Sequence, residues 1–245
     1  MAGATLDILP DPLSVAARAA GWIAGQIAAT ADNVFRIALS GGNTPRLLYQ
    51  VLASPEYRER IDWRRLELFW SDERFVPHDD ERSNYRMARE TLLSQAPVLI
   101  DHIHPVLTED DPEIAAQRYE ATLKSMYGAD VLDPSRPLFQ LILLGLGEDG
   151  HTASLFPGDV VLKERSRWVA AVENRAEPRI TLTYPAIQSS RVVAFLVVGE
   201  EKAEIVRRVQ EGDQSLPATR VRSDGEIMWF LDKSAASRLP LHDTV

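Results

Sequence analysis

The stretch Gly145-Leu-Gly-Glu-Asp-Gly-His-Thr-Ala-Ser-Leu-Phe-Pro-Gly158 comes directly after the apolar run Leu138-Phe-Gln-Leu-Ile-Leu-Leu144. The run predicts a buried strand, because long and branched aliphatic residues fill it without polar alternation. The glycines that follow allow a sharp turn and a close approach of the backbone to a ligand. Glu148, Asp149 and His151 lie in this turn. Since open α/β proteins bind ligands at the carboxyl ends of their strands, we expect the chemistry here.

The same turn also matches the dinucleotide fingerprint G-x-G-x-x-G over residues 145–150, with Glu173 at about the expected distance of roughly 20 residues. Two observations argue against a nucleotide cofactor. The turn carries two carboxylates, which would stand beside the two charges of a pyrophosphate. A dinucleotide site also needs a long helix after the last glycine, whereas Pro157 and Gly158 end any helix within about two turns.

Composition excludes several classes of function. The formal net charge of −9 argues against nucleic acid and anionic membranes as partners, since both need a basic face. The absence of cysteine excludes disulfides and thiolate chemistry and suits a cytoplasmic protein. No apolar run approaches the roughly 18 residues that span a bilayer, and the start Met1-Ala-Gly-Ala lacks the basic region of a signal peptide. A length of 245 residues fits one α/β domain, with or without a small subdomain, and we predict a single domain over 1–245.

Hydrophobic periodicity predicts alternating strands and helices along the chain. Strands are predicted at 34–39, 66–70, 103–106, 138–144, 168–172, 179–183, 191–198 and 226–231. Helices are predicted at 13–29, 45–53, 112–127 and 200–210, and from a cap at Ser83 to about residue 93. This alternation predicts an α/β fold with a mostly parallel sheet flanked by helices on both faces.

The turn Ser40-Gly-Gly-Asn-Thr-Pro45 lies between a predicted strand and the next helix. Thr44 is a good N-cap and Pro45 a good first helical residue, because the N–H that proline lacks would be unpaired there anyway. The amides of Gly41 and Gly42 beside a helix N-terminus make a natural site for an anion. A plain tight turn explains the same residues equally well. The sequence has no Gly-Lys-Ser/Thr, so it is not a Walker loop.

Three further groups of charged residues stand at element boundaries. Asp72, Glu73 and Arg74 follow the strand at 66–70, and the Arg74 guanidinium can offer paired donors to a phosphate or carboxylate. Lys202 lies in a predicted first helical turn, where a cation opposes the helix dipole unless a ligand favours it. Arg179 opens a strand and suits an anionic partner in the same way. The alternatives are a solvated loop with local ion pairs, a lysine paired with a neighbouring glutamate, and an arginine solvated at a strand edge.

His151 differs from the other four histidines because it follows Gly150 in a turn at a strand end. An imidazole can take and return a proton near neutral pH, so His151 is the candidate general base and acid. The other four lie in loops, edge strands or the tail, and we assign them no role: His78, His102, His104 and His242. The sequence contains no H-x-x-x-H pair and no Cys/His cluster, so no metal is predicted.

Taken together, these blocks resemble the 6-phosphogluconolactonases, from about residue 36 to residue 232 and with matching spacing. The blocks that carry the resemblance are Ser40–Pro45, Ser71–Pro77, Ser83–Tyr85, Gly145–Gly158, Arg179–Thr183, Val198–Lys202 and Leu216–Ala218. The resemblance implies hydrolysis of 6-phospho-D-glucono-1,5-lactone to 6-phosphogluconate, the second step of the oxidative pentose phosphate pathway. It also implies a fold of the sugar-phosphate isomerase, deaminase and lactonase type, with no cofactor and no metal.

On this interpretation the small-molecule partner is a phosphosugar lactone, and we expect a cytoplasmic monomer or weak dimer. His151 would move the proton, Glu148 or Asp149 would orient its ring, and the backbone amides of residues 145–150 would hold the oxyanion. The predicted catalytic residues are His151, Glu148, Asp149 and Asp72. The predicted phosphate-binding and sugar-binding residues are Gly41, Gly42, Thr44, Arg74, Arg179 and Lys202.

Two alternatives remain open from the sequence. One is an amino-sugar phosphate deaminase or an aldose–ketose isomerase on the same scaffold. In the deaminases the two matching blocks read more like MDEY and GHIAFNEPG, whereas this chain has Ser71-Asp-Glu-Arg74 and His151-Thr-Ala-Ser-Leu-Phe-Pro157. The other is a sugar-phosphate sensor without turnover, against which stand the lack of a basic helix-turn-helix pattern and the intact Glu148, Asp149 and His151 set.

Overall fold

The computed structural model describes residues 4–240 and contains nine strands and seven α-helices over that range. The strands are β1 (Ala4–Leu9), β2 (Phe35–Leu39), β3 (Leu66–Trp70), β4 (Asp72–Arg74), β5 (Phe139–Leu144), β6 (Val169–Val172), β7 (Arg179–Leu182), β8 (Ser190–Val197) and β9 (Glu226–Asp232). The helices are α1 (Pro12–Ala29), α2 (Asn43–Leu52), α3 (Pro55–Arg60), α4 (Asn84–Ala88), α5 (Pro112–Tyr127), α6 (Tyr184–Gln188) and α7 (Ala203–Gln210).

Six strands form the main sheet, in the order β1-β9-β8-β5-β2-β3, and every pairing in it is parallel. All six residues of β5 are buried. Since successive side chains of a strand point to opposite faces, both faces of the sheet are covered at its centre. The predicted α/β fold with a mostly parallel sheet is confirmed. The carboxyl ends of β2, β3, β5 and β8 lie along one edge, where the functional loops begin.

A second sheet of three antiparallel strands, in the order β4-β7-β6, stands beside this edge. The sequence predicts β6 and β7 as strands but not their separation from the main sheet. Asp72 pairs with Thr181 and Arg74 pairs with Arg179. Ser71 connects the two sheets, because its N–H donates to the carbonyl of Leu39 and its carbonyl accepts from the amide of Leu182. The small sheet thereby brings Arg179 next to the end of β3.

Most predicted elements agree with the structure to within two or three residues, but one predicted strand is wrong and four short elements are missing from the prediction: β1, β4, α3 and α6. Strand β1 is absent from the prediction because it is a short edge strand with a mixed burial pattern. The strand predicted at 103–106 is wrong, since only an isolated bridge joins Ile103 to Leu68. Pro105 accounts for this, because it has no N–H to donate to a ladder. Among residues 4–240 no helix combines the length and the apolar character needed to cross a membrane.

The predicted N-cap at Thr44 is also wrong. Helix α2 begins at Asn43, with Gly42 as the capping residue at φ +101° and without a side-chain cap. Glycine adopts this backbone conformation without a Cβ penalty, so the chain can turn into the helix one residue before Thr44. Pro45 then falls within the first turn, where its missing N–H costs no helical hydrogen bond.

Candidate active site

A cavity of about 340 Å³ opens where the ends of β2 and β5 meet the small sheet. It brings together residues that are more than 160 positions apart in the sequence. Its lining residues are Ser40, Gly41, Gly42, Asp72, Arg74, Asn84, Gly145, Leu146, Gly147, His151, Thr152, Ala153, Ser154, Phe156, Arg179 and Lys202. The cavity therefore contains seven of the ten residues that the sequence nominated, and Glu148, Asp149 and Thr44 lie outside its wall.

His151 is held in the cavity wall by Asp149. The imidazole Nδ1 lies 2.6 Å from Asp149 Oδ1, and the backbone amide of His151 donates to the same oxygen at 3.1 Å. Burial alone would raise the pKa of Asp149, but these hydrogen bonds outweigh burial and hold the pKa below its ordinary value. The charged carboxylate fixes the tautomer with the proton on Nδ1, which leaves Nε2 to exchange protons in the cavity.

Glu148 does not share this role. Its side chain is 72% exposed, and Oε1 lies 3.9 Å from the ammonium of Lys202. The sequence left open whether Glu148 or Asp149 orients the His151 ring. In the structure Asp149, and not Glu148, contacts the imidazole. Glu148 thus forms a long, exposed ion pair with Lys202 at the rim.

The glycine turn around His151 allows no side chain at Gly147. A Cβ there would lie 2.0 Å from His151 Nδ1, so only glycine permits the ring to sit against the backbone. The amide of Gly147 donates to the carbonyl of His151, and that of Gly150 donates to the carbonyl of Gly147. These two amides hold the turn together and are not available to an oxyanion. The oxyanion donors predicted within residues 145–150 are therefore limited to the other four amides of the turn.

The His151 ring also packs against the ring of Phe156, with 4.6 Å between the ring centroids. Arg175, from the turn between β6 and β7, stacks its guanidinium 3.8 Å from the centroid of the Phe156 ring. Asp149 fixes the edge of the imidazole and Phe156 fixes its plane. The ring is thus oriented before any ligand binds.

Two arginines enter the cavity side by side. Arg74 and Arg179 are cross-strand partners, and the Nε atom of each is buried without a hydrogen-bond partner in the described part of the chain. Burial, and then the neighbouring charge of Arg74, lower the pKa of Arg179 from its ordinary value. Arg74 Nη1 donates to the carbonyl of Arg82, but two adjacent, partly buried guanidinium groups still repel each other unless an anion lies between them. The arrangement indicates a site for phosphate or carboxylate.

Asp72 is a buried carboxylate on the cavity wall. Its Oδ2 accepts a hydrogen bond of 2.7 Å from the hydroxyl of Ser154, and its backbone carbonyl accepts from Asn84 Nδ2. Ser154 in turn donates its amide to Thr181 Oγ1 on the small sheet. Asp72 thus joins the His151 loop to the segment at residues 83–85. The sequence nominated Asp72 but gave no signal for Ser154.

Glu73 organises this corner of the site from behind. It is 1% exposed, and its two carboxylate oxygens accept the amides of Arg74, Asn84 and Tyr85 and the hydroxyl of Ser83. Burial raises the pKa of Glu73, and the amide donors act against that rise. Because the carboxylate anchors the start of α4, Asn84 is held inside the cavity. The sequence predicts Ser83 as a helix cap, and Ser83 does cap α4.

The replacement Glu73→Gln is expected to destabilise the protein by about 1–3 kcal/mol. Gln has one acceptor oxygen, so its amide N–H₂ group would face backbone donors that remain buried and unpaired. At roughly 2–4 °C per kcal/mol for a chain of this size, the melting temperature should fall by several degrees. Thermal unfolding followed by circular dichroism measures the effect. A melting temperature equal to that of the unmodified protein would show that the carboxylate does not hold this corner.

A second cleft, of about 440 Å³, adjoins the first on the other side of the glycine loop. Thr44 and the first turn of α2 line it, and Gly41, Gly42 and Lys202 border both spaces. Lys202 stands in a short 3-10 turn before α7 and is 21% exposed. The two clefts together present a helix N-terminus, a lysine and two arginines. No group of three His, Cys, Asp or Glu side chains within residues 4–240 is arranged to hold a metal ion.

The chain matches a known protein family over most of its length. The family model described as glucosamine-6-phosphate isomerases/6-phosphogluconolactonase matches residues 10–229. The chain belongs to this family. The resemblance drawn from the sequence motifs is thereby confirmed, and the family match includes every residue of the cavity.

Members of the family with curated names are similar over most of this chain. The 6-phosphogluconolactonase of Synechocystis is 42% identical over 207 residues, which cover 83% of this chain and 84% of that protein. The chloroplastic 6-phosphogluconolactonase 3 of Arabidopsis thaliana is 39% identical over 84% of this chain, and the match spans 65% of its length. The crystal structure of 6-phosphogluconolactonase from Thermotoga maritima superposes with a TM-score of 0.80 at 30% identity, covering 94% and 100% of the two chains.

Proposed function

We propose that this family member hydrolyses 6-phospho-D-glucono-1,5-lactone to 6-phosphogluconate, the second step of the oxidative pentose phosphate pathway. The observation that carries the proposal is a histidine oriented by a carboxylate in the same cavity as two adjacent guanidinium groups. The histidine and its carboxylate suit proton transfer to and from water, and the two guanidinium groups suit binding of a phosphate. The similar proteins named 6-phosphogluconolactonase support the same substrate.

The reaction needs one proton acceptor that later becomes a donor. His151 Nε2 takes a proton from water while the water oxygen attacks the lactone carbonyl carbon. The carbonyl oxygen becomes an oxyanion, which the remaining amides of the Gly145–Gly150 turn stabilise. When the ring C–O bond breaks, the imidazolium returns the proton to the departing ring oxygen. Asp149 stabilises the imidazolium throughout without itself being protonated.

The phosphate lies among the cations on this account. Arg74 and Arg179 supply guanidinium donors, while Gly41, Gly42 and Lys202 supply amides and an ammonium group from the glycine loop and the rim. The side chains of Arg74, Arg179 and Lys202 are positively charged, and the amides of Gly41 and Gly42 are hydrogen-bond donors beside the N-terminus of α2. A doubly charged phosphate therefore offsets the repulsion among the three cations. Asp72 and Asn84 remain for the sugar hydroxyls.

The proposal extends to location and assembly. Lack of cysteine suits a reducing compartment, so we place the protein in the cytoplasm. We also propose that the protein is a monomer or weak dimer.

The reaction is tested by following the freshly generated phosphorylated lactone by NMR with and without the protein. Faster conversion to 6-phosphogluconate than the spontaneous rate supports the proposal. Glucosamine 6-phosphate is incubated in parallel and assayed for ammonia. Release of ammonia without any effect on the lactone would replace the proposal by a deaminase, and inertness toward both would favour a sensor.

Asp149→Asn is expected to lower kcat by about 10–100-fold, because an amide supports an imidazolium less well than a carboxylate does. Glu148→Gln is the matched control, since it makes the same chemical change at the neighbouring position. We expect that variant to retain kcat within about twofold. Steady-state rates on the phosphorylated lactone measure both. Equal losses in the two variants would contradict the assignment of Asp149.

A further inference from the structure

The hydroxyl of Tyr49 makes two hydrogen bonds to a single residue of the glycine loop. Its oxygen accepts the amide of Ser40 at 3.0 Å and donates to the carbonyl of Ser40 at 2.8 Å. The Tyr49 side chain is fully buried. Burial raises the pKa of Tyr49 well above its ordinary value, so the hydroxyl keeps its proton and remains a donor. The hydroxyl therefore satisfies both backbone groups of Ser40.

Ser40 stands at the point where strand pairing ends and the loop begins. The last pairing contact of β2 is Leu39, whose carbonyl accepts the amide of Ser71. The next residues, Ser40, Gly41 and Gly42, form part of the cavity wall. Since Ser40 is only 5% exposed, water cannot readily replace the tyrosine hydroxyl. The direction in which the chain leaves β2 is therefore set by Tyr49.

The loop has little room to adjust. A Cβ on Gly41 would lie 1.9 Å from Asn84 Oδ1, so the backbone of Gly41 packs directly on that side chain. Asn84 is itself held by Glu73 and by the carbonyl of Asp72. A shift of the loop at Ser40 would either strain this contact or move Gly41 and Gly42 out of register with the arginines.

Tyr49 reaches Ser40 because of its position in α2. It lies six residues after Asn43, the first residue of the helix. Side chains of a helix lean toward its N-terminus, so this tyrosine points back to the strand end from which the helix departs. Helix α2 thus begins directly after the Gly41–Gly42 turn of the cavity wall and also carries the tyrosine that bonds this turn to the end of the strand.

We propose that Tyr49 is a positioning residue for phosphate binding, which holds the Gly41–Gly42 amides in place through its two hydrogen bonds to Ser40. The inference rests on the proposed function, since it names the part of the site that recognises the phosphate. Tyr49 does not contact the substrate on this account. Its effect is transmitted through the backbone of Ser40.

The test compares Tyr49→Phe with Tyr127→Phe. Tyr127 is a matched control, because its buried hydroxyl accepts the amide of Asp133 at 2.8 Å and donates to the carbonyl of Arg136 at 2.7 Å. These contacts lie before the start of β5, at the edge of the sheet opposite the cavity. Each variant removes one tyrosine hydroxyl and the two hydrogen bonds that it makes to the backbone. Both variants should therefore lose thermal stability to a similar extent.

Tyr49→Phe is expected to lower kcat/KM for the phosphorylated lactone by about 10–100-fold, mainly through KM, because a shift of about 1 Å in binding groups has effects of this size. Its kcat/KM for unphosphorylated gluconolactone should stay within about twofold, as should both values for Tyr127→Phe. Parallel losses on the two lactones, or the same loss in both variants, would overturn the inference. If Tyr49→Phe does not fold, Tyr49→Met is assayed, which likewise offers no hydroxyl to Ser40, and an unaltered preference for the phosphorylated lactone would overturn the inference as well.

Inorganic phosphate gives a readout that does not depend on turnover. Phosphate should raise the melting temperature of the unmodified protein and of Tyr127→Phe, and raise that of Tyr49→Phe much less. If lactone hydrolysis is absent while this difference is observed, the proposed function fails and the role of Tyr49 stands. If hydrolysis is present and phosphate stabilises all three proteins equally, the role of Tyr49 fails and the proposed function stands.

Discussion

His151→Ala is expected to lower kcat for the phosphorylated lactone by about 10²–10⁴-fold, which is the range for loss of a general acid–base group. The lactone would still bind, because the cavity retains its arginines and the glycine loop, so KM should change little. His102→Ala serves as the control. His102 contacts the carbonyl of Leu66 at the opposite edge of the sheet, and its replacement should leave kcat within about twofold.

The dependence on pH distinguishes a catalytic from a structural effect of His151→Ala. In the unmodified protein kcat/KM should depend on pH through a general acid–base group, and this dependence should disappear in the variant. Circular dichroism and thermal unfolding establish that the variant is folded. An unchanged kcat in folded His151→Ala would remove His151 from the mechanism.

Arg179→Ala is expected to raise KM for the phosphorylated lactone by about 10–100-fold, because it removes charge-assisted hydrogen bonds to the phosphate. The same replacement should not destabilise the ligand-free protein. The side chain is half-buried, has an unpartnered Nε within the described residues, and faces the charge of Arg74. Removing an unpaired cation from such a position should leave the melting temperature of the ligand-free protein unchanged or raise it.

Arg191→Ala is the control for Arg179→Ala. Arg191 makes an exposed ion pair with Asp32, so its loss should change neither KM nor stability appreciably. Equal effects of Arg179→Ala on the phosphorylated and the unphosphorylated lactone would contradict a phosphate-binding role. A large fall in melting temperature would show that Arg179 serves the fold rather than the ligand.

The sequence predicts the parts of this site that depend on local pattern. The apolar run 138–144 predicts that the catalytic turn lies at the end of a central strand. The glycines around His151 indicate that the backbone and the imidazole ring lie close together. Residue type then nominates Asp72, Arg74 and Arg179. Each of these inferences needs only the chemistry of a short segment and the rule that strand ends carry ligands in open α/β sheets.

The contacts that join distant segments could not be predicted in this way. Nothing in the local sequence pairs Ser154 with Asp72, which are 82 positions apart, or places Arg179 opposite Arg74, because β4 lies about a hundred residues before its partner β7. The choice between Glu148 and Asp149 depended on side-chain direction within a tight turn. Tyr49 carried no sequence signal at all, since a buried tyrosine in an amphipathic helix is typical of an ordinary core.

The central claim is that one cavity combines an oriented histidine with a cationic site for phosphate. Proton release from freshly generated 6-phosphogluconolactone, measured in a pH-stat and corrected for spontaneous hydrolysis, tests it most directly when unphosphorylated gluconolactone is run in parallel. Strong acceleration of the phosphorylated lactone, with little effect on the other, is the expected result. Equal acceleration of both lactones, or of neither, would contradict the claim.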